Sequence, residues 1–135
     1  MPSEEVTPSP EAWICSAIDA ATALETYPHF APDGATLPYV IYQRARTDRE
    51  KTLDGQTVGI VGTFGVFVYA DTYSQSKTVA EAVRQSIDNF NGDGGGLTIA
   101  RVEITDERDG DPVFFEGRDT AVFVVEQTYT IEWEE

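Results

Sequence analysis

The sequence predicts an α+β domain. It consists of a mainly antiparallel four-stranded sheet with two helices packed on one face, in the order α-β-β-α-β-β. Three observations carry this. Val58 to Ala70 is β-branched and aromatic, as half-buried strands are. Directly after it, Val79, Ala80, Val83, Ile87 and Phe90 recur at helical spacing and make one apolar stripe. Near the C-terminus, Phe123, Val125, Tyr129, Ile131 and Trp133 alternate with Glu126, Thr128, Thr130 and Glu132. This is the two-residue period of a strand, with Gln127 on the apolar face.

Each element follows in order. Residues 1–8 are polar with two prolines and read as a flexible arm, leaving residues 9–135 as a single domain. Ser9 suits an N-cap and Pro10 the first helical position. Trp13, Ile14, Ala17, Ile18, Ala21 and Leu24 form the apolar face of this first helix, which Pro28 stops. His29 to Thr36 is a loop marked by Pro32-Asp33-Gly34. Leu37 to Arg44 is the first strand and Asp54-Gly55 a turn into the second, so the two form a long twisted hairpin. Gly59, Gly62 and Gly65 predict a bulge or bend in the second strand. Thr72 and Gln75 have capping-box spacing, which starts a helix from Tyr73 to Phe90. Asn91 to Gly96 reads as a loop, Leu97 to Thr105 as the third strand and Asp106 to Pro112 as an acidic turn. The sequence leaves open whether Val113-Phe114-Phe115 is a short strand or a docked loop. Thr120 to Trp133 is the last strand.

Composition narrows the function. The 24 acidic residues against 9 basic ones give a net charge of −15, which disfavours autonomous nucleic-acid binding, because phosphate contacts need clustered cations. One cysteine (Cys15) and one histidine (His29) cannot supply the usual zinc sets within one chain. No apolar run approaches the roughly 20 residues of a membrane span, and Met1 to Glu5 lacks the pattern of a signal peptide. His29 lies in a proline-flanked loop without a nucleophile motif nearby, and Cys15 reads as a small residue on the first helix. Asn89, Asn91, Asp93 and Gly94 match part of a calcium loop. The pattern fails at Asn89 itself and at Ala100, where a bidentate Glu is required. The predicted protein is therefore not an enzyme and holds no metal or cofactor.

The basic residues concentrate. Arg44, Arg46, Arg49 and Lys51 fall within the first hairpin, where they are either a candidate interface with an acidic surface, including another subunit, or the solubilising charges of a long hairpin.

Several pieces resemble the tail terminator (tail-completion) proteins of long-tailed, siphovirus-type phages and gene-transfer particles. They are Leu37-Pro38-Tyr39-Val40-Ile41-Tyr42, Thr52-Leu53-Asp54-Gly55, Val68 to Tyr73, Ala80 to Arg84 and Asp106 to Asp109. They stand in that family's order from about Trp13 to the C-terminus. The glycine-rich Gly92–Gly96 stretch and residues 1–8 depart from it. The resemblance implies a non-enzymatic virion protein at the head-proximal end of the tail, assembled in the host cytoplasm. It would form a hexameric ring on the tail tube, stop tube polymerisation and form part of the head-tail junction. Its implied partners are its own copies, the tail tube protein and a head-tail connector protein, with DNA passing through the ring without specific binding and no membrane involved. One alternative is a head-tail connector subunit. Another is a small-molecule-binding or enzymatic ferredoxin-like domain with a pocket lined by Tyr39, Tyr42 and Tyr69.

Overall fold

Long strands dominate the architecture. The computed structural model describes residues 9–32, 34–51, 53, 57–94 and 96–134. The elements are α1 (Pro10–Thr22), β1 (Thr26–Pro28), β2 (Tyr39–Lys51), β3 (Thr57–Ala70), α2 (Tyr73–Ile87), β4 (Gly92–Gly94), β5 (Leu97–Asp109) and β6 (Phe123–Glu134). All strands join one sheet, ordered β1-β2-β3-β6-β5-β4. β1 runs parallel to β2, and the other pairs are antiparallel.

This corrects the expected four-stranded sheet and its α-β-β-α-β-β order. The sheet has six strands, is mixed, and curls into a half-barrel. The two additional strands are three residues each and pair by backbone alone. β1 lies in what reads as the end of the first helix. That helix stops early: Ala23 adopts a left-handed φ of 57° and donates its N–H to the Asp19 carbonyl at 2.8 Å. Thr22 Oγ1 accepts from the N–H of Leu24 at 3.2 Å, and the chain is released to run beside Val40, Ile41 and Tyr42. β4 lies within the glycine run read as a loop. Gly94 there packs beneath Trp13, and a Cβ on it would collide with Cδ1 of that indole. Glycine thus lets a strand pass where a side chain would not fit.

Local signals place the helix starts. Ser9 Oγ accepts from the N–H of Ala12 at 3.2 Å, and Thr72 Oγ1 from the N–H of Gln75 at 3.1 Å. The Gln75 side chain reaches the N–H of Asp71 at 3.3 Å rather than that of Thr72. α2 ends at Ile87, before the expected Phe90, because its end joins the edge of β5. Asp88 Oδ1 accepts from the N–H of Ile104 at 2.9 Å, and the N–H of Asn89 donates to the Val102 carbonyl at 2.9 Å. Phe90 turns back onto Trp13, with ring centroids 4.8 Å apart.

β2 and β5 exceed their expected lengths, whereas β6 begins at Phe123 rather than at Thr120. β5 continues through the acidic stretch as far as Asp109, where a turn was expected. Val113 makes a single bridge to Val122, so residues 113–115 form no strand. Register shifts fall between Arg44 and Arg46, Glu50 and Lys51, Ile99 and Arg101, and Ile104 and Asp106. Such bulges bend and twist the strands that carry them, which fits the curl of the sheet.

One core joins the layers. Trp13, Ile14 and Ile18 of α1 and Ala80, Val83 and Ile87 of α2 pack with Phe64, Val66, Val68, Val125, Tyr129 and Ile131 of the sheet. Ser86 Oγ donates to the Ala17 carbonyl at 3.1 Å and ties the helices together. Gln127 is the polar exception. Its Nε2 donates to the Ala80 carbonyl at 2.8 Å and to Glu107 at 2.7 Å, and its Oε1 accepts from the Tyr129 hydroxyl at 2.8 Å. α2, β5 and β6 thus share one buried amide.

Candidate assembly surfaces

The bulge at Ala45 decides what the basic hairpin does. Before it, Arg44 pairs with Phe64 and shares the core face of the sheet. Its guanidinium grips Glu11 of α1 at 3.1 and 2.5 Å and lies 5.3 and 5.2 Å from the ring centroids of Phe64 and Trp133. Gly62 makes room for this stack, since a Cβ there would lie 2.6 Å from the Phe64 ring and 2.8 Å from Trp133. After the bulge, Arg46 pairs with Thr63 on the opposite face, where its Nε meets Asp48 at 3.0 Å. Arg49 pairs with Ile60, back on the core face, and is exposed. Arg44, Arg46 and Arg49 therefore do not form one patch: Arg44 anchors a helix, and Arg46 and Arg49 point to opposite sides. Lys51 closes β2, and its side chain lies outside the described residues, as does the Asp54-Gly55 turn. Leu53, beyond the end of β2, is fully exposed.

The other end of β3 opens on a groove. Residues 31, 32 and 34–37 and the segment 114–118 face each other across a cavity of about 850 Å³. Tyr39 and Asp71 contribute to its lining. Backbone bonds hold the second segment: Gly110 N–H to the Val124 carbonyl at 2.9 Å, and Val113 with Val122 at 2.9 and 2.7 Å. Arg118 bridges to Asp71 at 2.5 Å and to Thr120 Oγ1 at 3.1 Å. Phe30 and Phe114 are exposed by 74% and 70% at this end. Sequence reasoning missed the groove. The adjacent Phe114 and Phe115, in an otherwise acidic stretch, were its one visible signal.

The alternative ligand pocket does not assemble. Tyr39 stacks on Tyr69 at 5.1 Å and meets Tyr27 edge-on at 5.8 Å, on the face away from the helices. Tyr42 alternates to the core face, beside Cys15 and Glu11. Burial raises the hydroxyl pKa of all three above the usual tyrosine value, with the Cys15 hydrogen bond adding to it at Tyr42. They stay protonated near neutral pH and supply no acid-base pair. His29 has a left-handed φ of 63° and donates its backbone N–H to the Tyr42 carbonyl at 2.9 Å. Asn89 to Gly94, the partial calcium pattern, runs from the end of α2 into β4.

The family model of tail completion protein gp17 matches residues 15–131. The chain belongs to that family. Membership supports a structural role in a phage-type tail. Among solved structures, a chain in the virion of a native gene transfer agent particle is 16% identical with a TM-score of 0.67. The match covers 98% of this chain and 100% of that one. A second solved chain is 20% identical with a TM-score of 0.59, covering 93% and 90% respectively. At these identities the likeness shows the fold. No curated protein matches the chain significantly.

Proposed function

We propose that this tail completion protein forms a closed ring of six copies on the head-proximal end of the tail tube, stops tube polymerisation and contributes to the head-tail junction. The family match over residues 15–131 is the observation that carries this reading. Two further features support it. The subunit has dissimilar ends, a hairpin with Arg49 and Leu53 exposed and an aromatic groove, and a ring needs two different patches that meet head to tail. Each copy carries −15, so a ring bore would repel DNA and let it pass without sticking. In this reading the tube protein and the head-tail connector protein are the partners above and below the ring. Of the hairpin residues, Arg46, Arg49 and Lys51 belong to an interface with the next subunit or the tube, while Arg44 serves the fold. The test adds purified protein to polymerising tail tubes and images them by electron microscopy. Tubes of limited length with a six-fold ring at one end are expected. Unchanged tube growth, or a two-fold dimer at the tube end, would refute the proposal. Binding to the head connector without any effect on tubes would favour a connector subunit instead.

A further inference from the structure

We infer that the β2–β3 hairpin of one subunit docks in the groove that Leu37, Phe114, Phe115 and Glu116 line on the next copy of this chain. This rests on the ring reading above and specifies its contact. The two surfaces cannot meet within one chain. β3 is fourteen residues long, and its far end adjoins Asp71 of the groove. At about 3.3 Å per residue the strand holds the Lys51–Thr57 end of the hairpin and the groove roughly 40 Å apart. Any contact between them joins different copies and is heterologous, the type of contact that can close a ring.

Their chemistry is complementary. The hairpin presents Leu53, a large aliphatic side chain left fully in water. The groove presents Leu37, Tyr39, Phe114 and Phe115. Phe114 stands 70% exposed, and seating Leu53 against it would remove apolar surface from water on both partners. Charge follows the same direction. At the hairpin Arg44 and Arg46 are already paired with Glu11 and Asp48 and Arg49 stands exposed, whereas residues 106–119 carry six carboxylates against Arg108 and Arg118. Two copies of so acidic a chain repel over most of their surfaces, and this pair of ends is one where the sign of the interaction reverses. Within the groove Asp71 is already bridged to Arg118, which among the described lining residues leaves Glu116 as the carboxylate placed to meet Arg49 of the incoming hairpin.

Cysteine pairing tests the contact in the full-length protein. A Cys15→Ser background (or Cys15→Ala, whichever melts like wild type) receives Leu53→Cys with Phe114→Cys, is mixed with tail tubes and is then oxidised. A ladder of covalently linked chains that reduction collapses is expected, and each single-cysteine variant should give none. Capped tubes without a ladder would overturn the docking and leave the ring reading standing. So would dimers from Leu53→Cys alone or Phe114→Cys alone, since these report like ends meeting. Failure of the cysteine-free parent and of wild type to cap tubes would refute the ring reading, and this contact with it. A charge exchange gives a second readout. Arg49→Glu should reduce capping, and adding Glu116→Arg should restore it. No restoration, in a double variant whose melt matches wild type, would overturn the pairing of those two residues.

Discussion

Replacing Gln127 by leucine tests whether the buried amide holds the two layers together. The side chain is 1% exposed, and all of its bonds reach other elements or its own strand neighbour. Leucine has similar volume, so the cavity contribution is small and the polar accounting dominates. Glu107 is exposed and recovers water when the amide is lost. Ala80 lies inside α2, where helical bonding engages its carbonyl. Tyr129 has no such recourse: it is fully buried, and its hydroxyl loses its one acceptor among the described residues. Burial, reinforced by Glu107 and Asp88, keeps that hydroxyl well above the usual tyrosine pKa, so it remains a donor. A stranded buried polar group costs about 1–3 kcal/mol, and Gln127→Leu should destabilise by that amount. Tyr129→Phe strands the amide oxygen instead and should cost a similar amount. The double variant leaves neither group stranded, so it should be less destabilised than the sum of the two single variants by at least about 1 kcal/mol. Urea melts of the four proteins measure this, with slopes checked for constancy. Additivity within about 0.5 kcal/mol would refute the claim that the pair acts as one network.

Three further predictions concern other contacts of the fold. Gly94→Ala should destabilise by about 1–3 kcal/mol, because the Trp13 ring must move and it anchors α1; a melt matching wild type with unchanged tryptophan emission would contradict this. Arg44→Ala should lower stability through loss of the Glu11 grip and of the cover over Phe64 and Trp133, whereas Arg46→Ala should leave the urea midpoint nearly unchanged; equal effects would show that the bulge does not separate their roles. Asp109 accepts from Lys77 and from the Tyr73 hydroxyl, which lowers its pKa below the ordinary 3.8. A depressed carboxylate stabilises above the unfolded value and loses that contribution as pH falls through the folded one. The stability gap between wild type and Asp109→Asn should therefore persist at neutral pH and close in acid below 3.8, and a gap unchanged by acid would count against it. Lys77, raised by the same pair, should lose its share only as pH climbs through its own elevated value, above 10.5.

The legible parts of this protein were those that neighbours in sequence decide. Ser9 and Thr72 cap their helices through bonds to residues three positions away, so the starts of α1 and α2 could be read directly. The alternation from Val125 to Trp133 marked the buried face of β6, including Gln127. The helix ends were not legible, because they depend on partners far along the chain. α2 stops where Asp88 and Asn89 find β5 residues, and α1 releases the chain to pair with β2. The strands β1 and β4 had no side-chain period to detect, being three residues long and held by backbone groups that every residue possesses. The basic cluster shows the same limit at the candidate surface: Arg44, Arg46 and Arg49 look contiguous in sequence, and one extra residue at Ala45 separates them onto two faces.

By itself, then, the sequence determined the long central strands, the two amphipathic helices, their capped starts and the family to which the chain belongs. Each of these rests on local spacing or on ordered motifs along the chain. Tertiary structure alone decided that the sheet has six strands and curls, that Arg44 serves the core, and that a groove opens opposite the hairpin. These depend on which backbone edges meet and where a strand admits an extra residue. Such choices are made by pairing across the fold, where residues far apart in sequence compete for the same hydrogen bonds.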